Sequence, residues 1–182
     1  MLVARNKNYK EVERLLKQFP VDVREKIIKR VLARAIQSGR VVVSKEIRAD
    51  YNVAAAHVKQ ALSIIQNNTR AFLKVKSRPR VLSYFDINPK EPTWEPGASV
   101  SAEIKTDNGR KTIPKAFVAR MTSGHIGVFI HVGGRRISQL YGPSVTGMAK
   151  NPAVAAEFME RVDEVLEGRL LHEIEAVLKG YV

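Results

Sequence analysis

The chain has 182 residues, 45% apolar and 27% charged, a composition that excludes disordered and collagen-like classes and allows one domain or a compact domain with an appendage. It contains no cysteine, which excludes disulfide frameworks, thiolate metal sites and cysteine nucleophiles. Its net charge of +13 is unevenly placed: residues 1–150 hold 28 basic and 11 acidic side chains, residues 151–182 hold 3 and 7.

In chain order, Val12, Leu15 and Leu16 predict a short helix from about Asn8 to Gln18, ended by Pro20. Val23, Ile27, Ile28, Val31, Leu32, Ala35 and Ile36 recur at three- and four-residue steps and predict a helix over Asp22–Ser38 with Gly39 as its stop. Its outer face carries Lys26, Arg30 and Arg34. Ser44 is expected to cap a two-turn helix ending near Asp50, and Asn52 to cap a further helix from Val53 to about Gln66. From Ala71 the period becomes two and predicts a strand whose register continues through Arg78 and Arg80. Lys74, Lys76, Arg78 and Arg80 then share one face, either as edge cations that block strand pairing or as a functional basic face.

Residues 86–97 contain Pro89, Pro92, Pro96, Gly97 and the only tryptophan, Trp94, and read as a loop. Trp94 either pins that loop to the core or serves a partner. Val100, Ala102 and Ile104 alternate toward Asp107-Asn108-Gly109, a hairpin signal, with the return strand at Arg110–Ile113. A further strand is expected over Ala116–Met121, and Ile126–Val132 is the best strand in the chain, ending at the basic turn Gly133-Gly134-Arg135-Arg136. Pro152 opens a long helix to about Lys179, with Val154, Phe158, Val162, Val165, Leu166, Leu170, Ile174, Val177 and Leu178 on one side. These elements predict a single α+β domain: a helical part over 1–68, a mostly antiparallel sheet over 69–140, and a linker and long C-terminal helix over 141–182.

No window approaches the ~20 uncharged apolar residues of a membrane span, and the basic stretch Met1–Lys10 lacks an apolar signal region behind it. No membrane contact is expected, and the cytoplasm is the expected compartment. His57, His125, His131 and His172 have no metal-ligand spacing, and no phosphate-binding or nucleophile-elbow motif occurs. Neither a catalytic site, a metal nor a cofactor is expected. Ser44–Leu62 looks like a DNA-reading helix-turn-helix, with Ile47, Tyr51, Val53, Val58 and Leu62 at packing positions. Arg48 sits where that unit wants a small residue, and Ala54-Ala55-Ala56 cannot hydrogen-bond base edges. The alternative is two packed helices that happen to carry the pattern.

The run from Lys115 to Met121, then Ser123-Gly124-His125, Gly127-Val128-Phe129, and Arg135-Arg136-Ile137-Ser138-Gln139-Leu140-Tyr141-Gly142-Pro143-Ser144 resembles the minor tail protein Z family of tailed bacteriophages and prophages. The resemblance covers about Lys115–Met148; Ser138 stands where relatives often carry Pro. It implies a structural protein of the virion tail, assembled in the bacterial host cytoplasm. Such a protein completes the tail near its head-proximal end as one of several copies in a ring, with six as a candidate count. It also implies contact with other tail or neck proteins, and it brings no catalytic residues.

Gly142-Pro143 forces a bend that presents Leu140 and Tyr141 at a fixed angle, so Leu140–Ser144 is expected to anchor a neighbouring subunit, or else simply to connect a strand to a helix. In a head-to-tail ring the acidic side chains Glu160, Glu164 and Glu167 of one copy would meet Lys26, Arg30 and Arg34 of the next. The remaining cations, Lys74, Lys76, Arg78 and Arg80 among them, would face DNA in the lumen without sequence preference.

Overall fold

The computed structural model describes residue 14, residues 16–93 and residues 99–180. The first expected helix, over 8–18, and Trp94 lie largely or wholly outside the described residues, and the loop expected over 86–97 opens instead with a strand at Asp86–Asn88, paired with Ser101–Glu103. The chain is α+β, with long helices toward its two ends and antiparallel strands between. It divides into two compact units that interleave along the sequence: one of residues 1–45, 62–75 and 149–182, the other of residues 46–61 and 76–148.

The first unit is built on two long helices, α1 (Val21–Asp50, of which residues 21–45 belong here) and α4 (Pro152–Leu178). Ile27 and Val31 of α1 pack with Leu16, Leu170 and Ile174, flanked by Phe19, Val23, Ile28, Leu166 and Val177. One turn after another, each helix buries the stripe that its apolar periodicity marks, and burial of each such side chain contributes roughly 1.5–3 kcal/mol. Asn151 caps α4 by accepting from Ala153 N at 3.2 Å, and Pro152 fills the first position, where no intrahelical N–H bond is lost.

Gly39 corrects the expected boundary, because α1 runs straight through it. A Cβ there would lie 2.6 Å from Phe158 Cε2 and 2.7 Å from Val162 Cγ2. The glycine is therefore the place where α4 comes against α1, and not a stop. Since residues 27–31 meet 170–174 and residue 39 meets 158–162, the two helices are antiparallel. Ser44, expected as a cap, is helix interior together with Val41–Val43, and Val43 and Ser44 are buried. Leu178, expected on the inner side, is exposed.

The expected helix from Val53 to Gln66 is a seven-residue helix, α2 (Ala55–Ala61), followed by strand β1 (Leu62–Gln66). β1 pairs antiparallel with β2 (Ala71–Val75), and the turn between them is set by Asn67, whose Oδ1 accepts from Thr69 N and Arg70 N. Ile65 is exposed opposite Phe72. The hairpin is held to α1 through Gln66 Nε2 donating to the Lys29 carbonyl at 2.7 Å and Asn68 Nδ2 donating to Glu25 at 3.2 Å.

The second unit, which includes α2 and residues 46–50 of α1, is mainly β. β4 (Asp86–Asn88), β5 (Val100–Glu103) and β6 (Lys111–Ile113) form one antiparallel meander, with Gly109 at φ 60° in the β5–β6 connection. β7 (Ala116–Arg120), β8 (Ile126–Gly133) and β9 (Arg136–Gln139) form another. A two-stranded ribbon joins β3 (Arg80–Val81) to β10 (Tyr141–Gly142). Leu82, Phe85, Ile87, Val100, Ala102, Val118, Val128, Val145 and Met148 are buried in this unit. The last two lie on a single helical turn, α3 (Val145–Met148).

One glycine in each long helix tests this packing. Gly39→Ala is expected to lower stability by up to about 2 kcal/mol, because overpacking against Phe158 and Val162 costs about 1–3 kcal/mol and a propensity gain of roughly 1 kcal/mol offsets only part of it. Gly168→Ala, whose Cβ would meet nothing within 4 Å, is expected to raise stability by up to about 1 kcal/mol. Thermal denaturation reads the two opposite signs; a Tm increase in both variants would mean the helices do not approach closely at Gly39.

Candidate functional site

The expected anchoring segment, Leu140–Ser144, is braced residue by residue. Gln139 ends β9, and the Leu140 N–H donates to the Val128 carbonyl of β8 at 2.8 Å, while the Leu140 carbonyl accepts from Leu82 N at 3.0 Å. Tyr141 and Gly142 then pair with Val81 and Arg80. Gly142 is required by close approach: a Cβ there would sit 2.9 Å from Phe85 Cζ, and Phe85 is buried. Ser144 Oγ accepts from Gly147 N at 3.0 Å and starts α3. Two further bonds tie this turn to the strand side: Ser77 N donates to Thr146 Oγ1 at 3.0 Å, and Val145 N donates to Ser77 Oγ at 3.4 Å.

Within this frame one large side chain stands out. Tyr141 is 57% exposed, while Leu140, Gly142, Pro143 and Ser144 are half-buried. Its hydroxyl donates to Gln139 Oε1 at 3.4 Å, and Gln139 Nε2 lies 2.7 Å from His125 Nε2. By cross-strand parity Tyr141 continues the sheet face that holds Phe117, Phe129, His131 and Ile137. On that face the Phe117 ring stacks on His131 at 5.0 Å and meets Phe129 at 6.2 Å. Alternation within each strand leaves the aromatic cluster invisible in the sequence, because the pairing of Phe117 with Phe129 is a matter of register.

The basic residues separate into groups. Lys26, Arg30 and Arg34 are exposed on α1, but Arg30 Nη1 lies 3.5 Å from Glu173 Oε2 of α4. Part of the expected basic seat for a neighbour's acidic helix is therefore engaged within the chain. Lys74, Lys76 and Arg78 are exposed, whereas Arg80 is half-buried, with Nε buried and without a hydrogen-bond partner among the described residues. The continuous strand expected to carry all four ends at Val75, and Arg80 belongs to the separate ribbon. Arg135 and Arg136 are exposed at the β8–β9 turn, where Gly133 and Gly134 adopt φ values of 133° and 52°. Arg110 and Arg120, by contrast, are matched by Asp86 and Glu91. Glu160, Glu164 and Glu167 are exposed on α4, and Glu164 pairs with Arg161 at 2.6 Å.

In the segment Ser44–Leu62, which looks like a helix-turn-helix, the first helix is the end of α1 and the second is Ala55–Ala61, seven residues long. Asn52, expected as a cap, serves a different purpose: its N–H donates to the Ile104 carbonyl and its Nδ2 to the Glu103 carbonyl. Together with Thr106 Oγ1 donating to the Ala49 carbonyl and Lys105 Nζ 5.4 Å from the Tyr51 ring centre, it ties residues 49–52 to the end of β5. Among the described residues no three His, Asp or Glu side chains cluster as metal ligands, and no helix is long and apolar enough to cross a membrane. The chain matches no protein-family model, no curated protein and no solved structure.

Gly142→Ala is expected to lower stability by about 1–3 kcal/mol, because Phe85 must shift. Tyr141→Ala is expected to change it by no more than about 0.5 kcal/mol, as for most exposed substitutions. Urea denaturation of both variants separates the two; a strong loss in Tyr141→Ala would mean that the ring supports the fold and is not free for a partner.

Proposed function

We propose that this chain is a structural tail-completion subunit of a tailed bacteriophage or prophage, similar to minor tail protein Z. In this reading it docks to further copies of itself in a ring near the head-proximal end of the tail, and to other tail or neck proteins. Assembly takes place in the bacterial host cytoplasm, and the virion tail is its destination. It makes and breaks no covalent bond.

The observation that carries the reading is the presentation of Tyr141. Leu140–Ser144, which lies within the run that resembles the family, is held by backbone bonds on two sides and by a glycine seated on Phe85, yet exposes its one aromatic ring. Tyrosine on a rigid element gives a large contact area at small entropic cost, which is what an assembly contact requires. Surface cations support the second part of the proposal. Lys74, Lys76 and Arg78 are exposed, and no carboxylate among the described residues pairs with them. They suit a lumen through which DNA passes without being read by sequence.

Negative-stain images of the purified protein, alone and with tail tubes, test the assembly role. Rings or tube-end caps are expected with no DNA present, and Tyr141→Ala is expected to reduce capped tubes at least about tenfold, as for an aromatic contact residue. Bare tubes at every protein concentration would refute the proposal. Binding to duplex DNA is expected to be independent of sequence and to weaken by about tenfold or more between 50 and 200 mM salt; a salt-independent response would remove the lumenal role.

A further inference from the structure

We propose that the tip of the β8–β9 hairpin is the seat for the outer face of α4 from a second copy of this chain. The proposal rests on the assembly role above and names the two surfaces that would meet. Arg135 and Arg136 project at the tip between Val132, 57% exposed, and Ile137, 41% exposed. No carboxylate among the described residues pairs with either arginine. The sequence offers none nearby along the chain, because residues 108–156 contain neither Asp nor Glu. Two guanidinium groups and two apolar side chains are thus left facing outward together.

The complementary surface is on the same chain. In α4, Glu157, Glu160, Glu164 and Glu167 occur at steps of three, four and three, and Leu171 continues the series after four more. At 100° per residue these five positions fall within an arc of about 80°, opposite the buried Phe158 and Val162. All are exposed, Leu171 at 60%. Glu157, Glu160 and Glu167 have no cationic partner among the described residues.

From Glu157 to Leu171 the stripe is about 21 Å long, enough for a hairpin tip to lie across it. Carboxylates three or four positions apart are neighbours on a helix surface and offer guanidinium groups paired acceptors. Leu171 at the end of the stripe answers Val132 and Ile137 beside the arginines. A phosphate backbone would satisfy Arg135 and Arg136 equally well, but it would leave those apolar side chains and the whole outer face of α4 unused. A second copy accounts for both. Because the two surfaces differ, the contact is head-to-tail and generates a ring when the rotation closes.

The test is sedimentation velocity of the full chain across a concentration series. The wild type is expected to self-associate at about 0.05 M salt and to dissociate as salt rises toward about 0.5 M, where exposed charge is screened. R135E/R136E alone and E160K/E164K/E167K alone are each expected to weaken association about tenfold or more. Mixed in equal amounts they should associate again to near the wild-type level, because in alternation every reversed tip meets a reversed stripe and every native tip a native stripe. Unweakened association of both variants would overturn this interface and leave the ring reading standing. A wild type that stays monomeric at all concentrations would overturn both. Loss of duplex DNA binding by R135E/R136E with association intact would overturn the proposal and mark the tip as a polyanion site. The salt series on the wild type needs no substitution, so an association that does not respond to salt overturns the proposal whatever the variants do.

Discussion

The two backbone groups of Leu140 reach in opposite directions, its N–H to β8 and its carbonyl to the turn at Leu82–Tyr84. A backbone donor or acceptor taken out of water without a partner costs roughly 1–3 kcal/mol, so both bonds hold position 140 firmly. Residues 141–148 depend on that placement. β10 can pair with β3 only once Leu140 has placed it there, Gly142 then meets Phe85, and Ser144 opens the turn whose Val145 and Met148 are buried. An exposed tyrosine in such a frame is held in place by neighbours on both sides of it, and its own side chain adds little to the fold.

Charge contributes to this fold in a different way from packing. Among the described residues, the ion pairs of Arg30 with Glu173, Arg110 with Asp86, Arg120 with Glu91, Arg161 with Glu164 and Lys179 with Glu175 each involve at least one well-exposed side chain. Pairs of that kind contribute about 0–1 kcal/mol each. A net charge of +13 therefore has no large part in stability and acts at the surface, through attraction of oppositely charged partners. The pairing of Arg30 with Glu173 also redistributes that surface, since it matches one α1 cation within the first unit, while Arg135 and Arg136 at the hairpin tip stay exposed.

Legibility in the sequence tracked the length and regularity of each pattern. The stripes of Ile27, Val31 and Ala35 and of Phe158, Val162 and Leu170 identify α1 and α4, because a helix of many turns repeats its apolar spacing often enough to be unambiguous. The Asp107-Asn108-Gly109 connection and the alternation of β8 are equally readable. Gly39 and Ser44 misled for a shared reason: both residue types serve helix ends and helix interiors, and only the neighbour decides which. Leu62 and Ile65 fit a helical period as a pair, and it is the partner strand Ala71–Val75 that makes them strand residues. At the candidate site, Leu140–Ser144 and the arginines of the β8–β9 turn were visible as a motif, whereas the partial burial of Arg80 and the Phe117–His131 stack depend on pairing register.

By itself, the sequence determined the α+β class, the excess of positive charge, the exclusion of thiol chemistry and the two long amphipathic helices, since these arise from composition and from spacings within a single element. Only the tertiary structure decided that Gly39 is a contact and not a stop, that Leu62–Gln66 is a strand, that Arg30 is matched by Glu173, and that Tyr141 stands on a braced ribbon. Each of these depends on atoms distant in the chain, and a local pattern carries no information about which distant group will fill the space beside it.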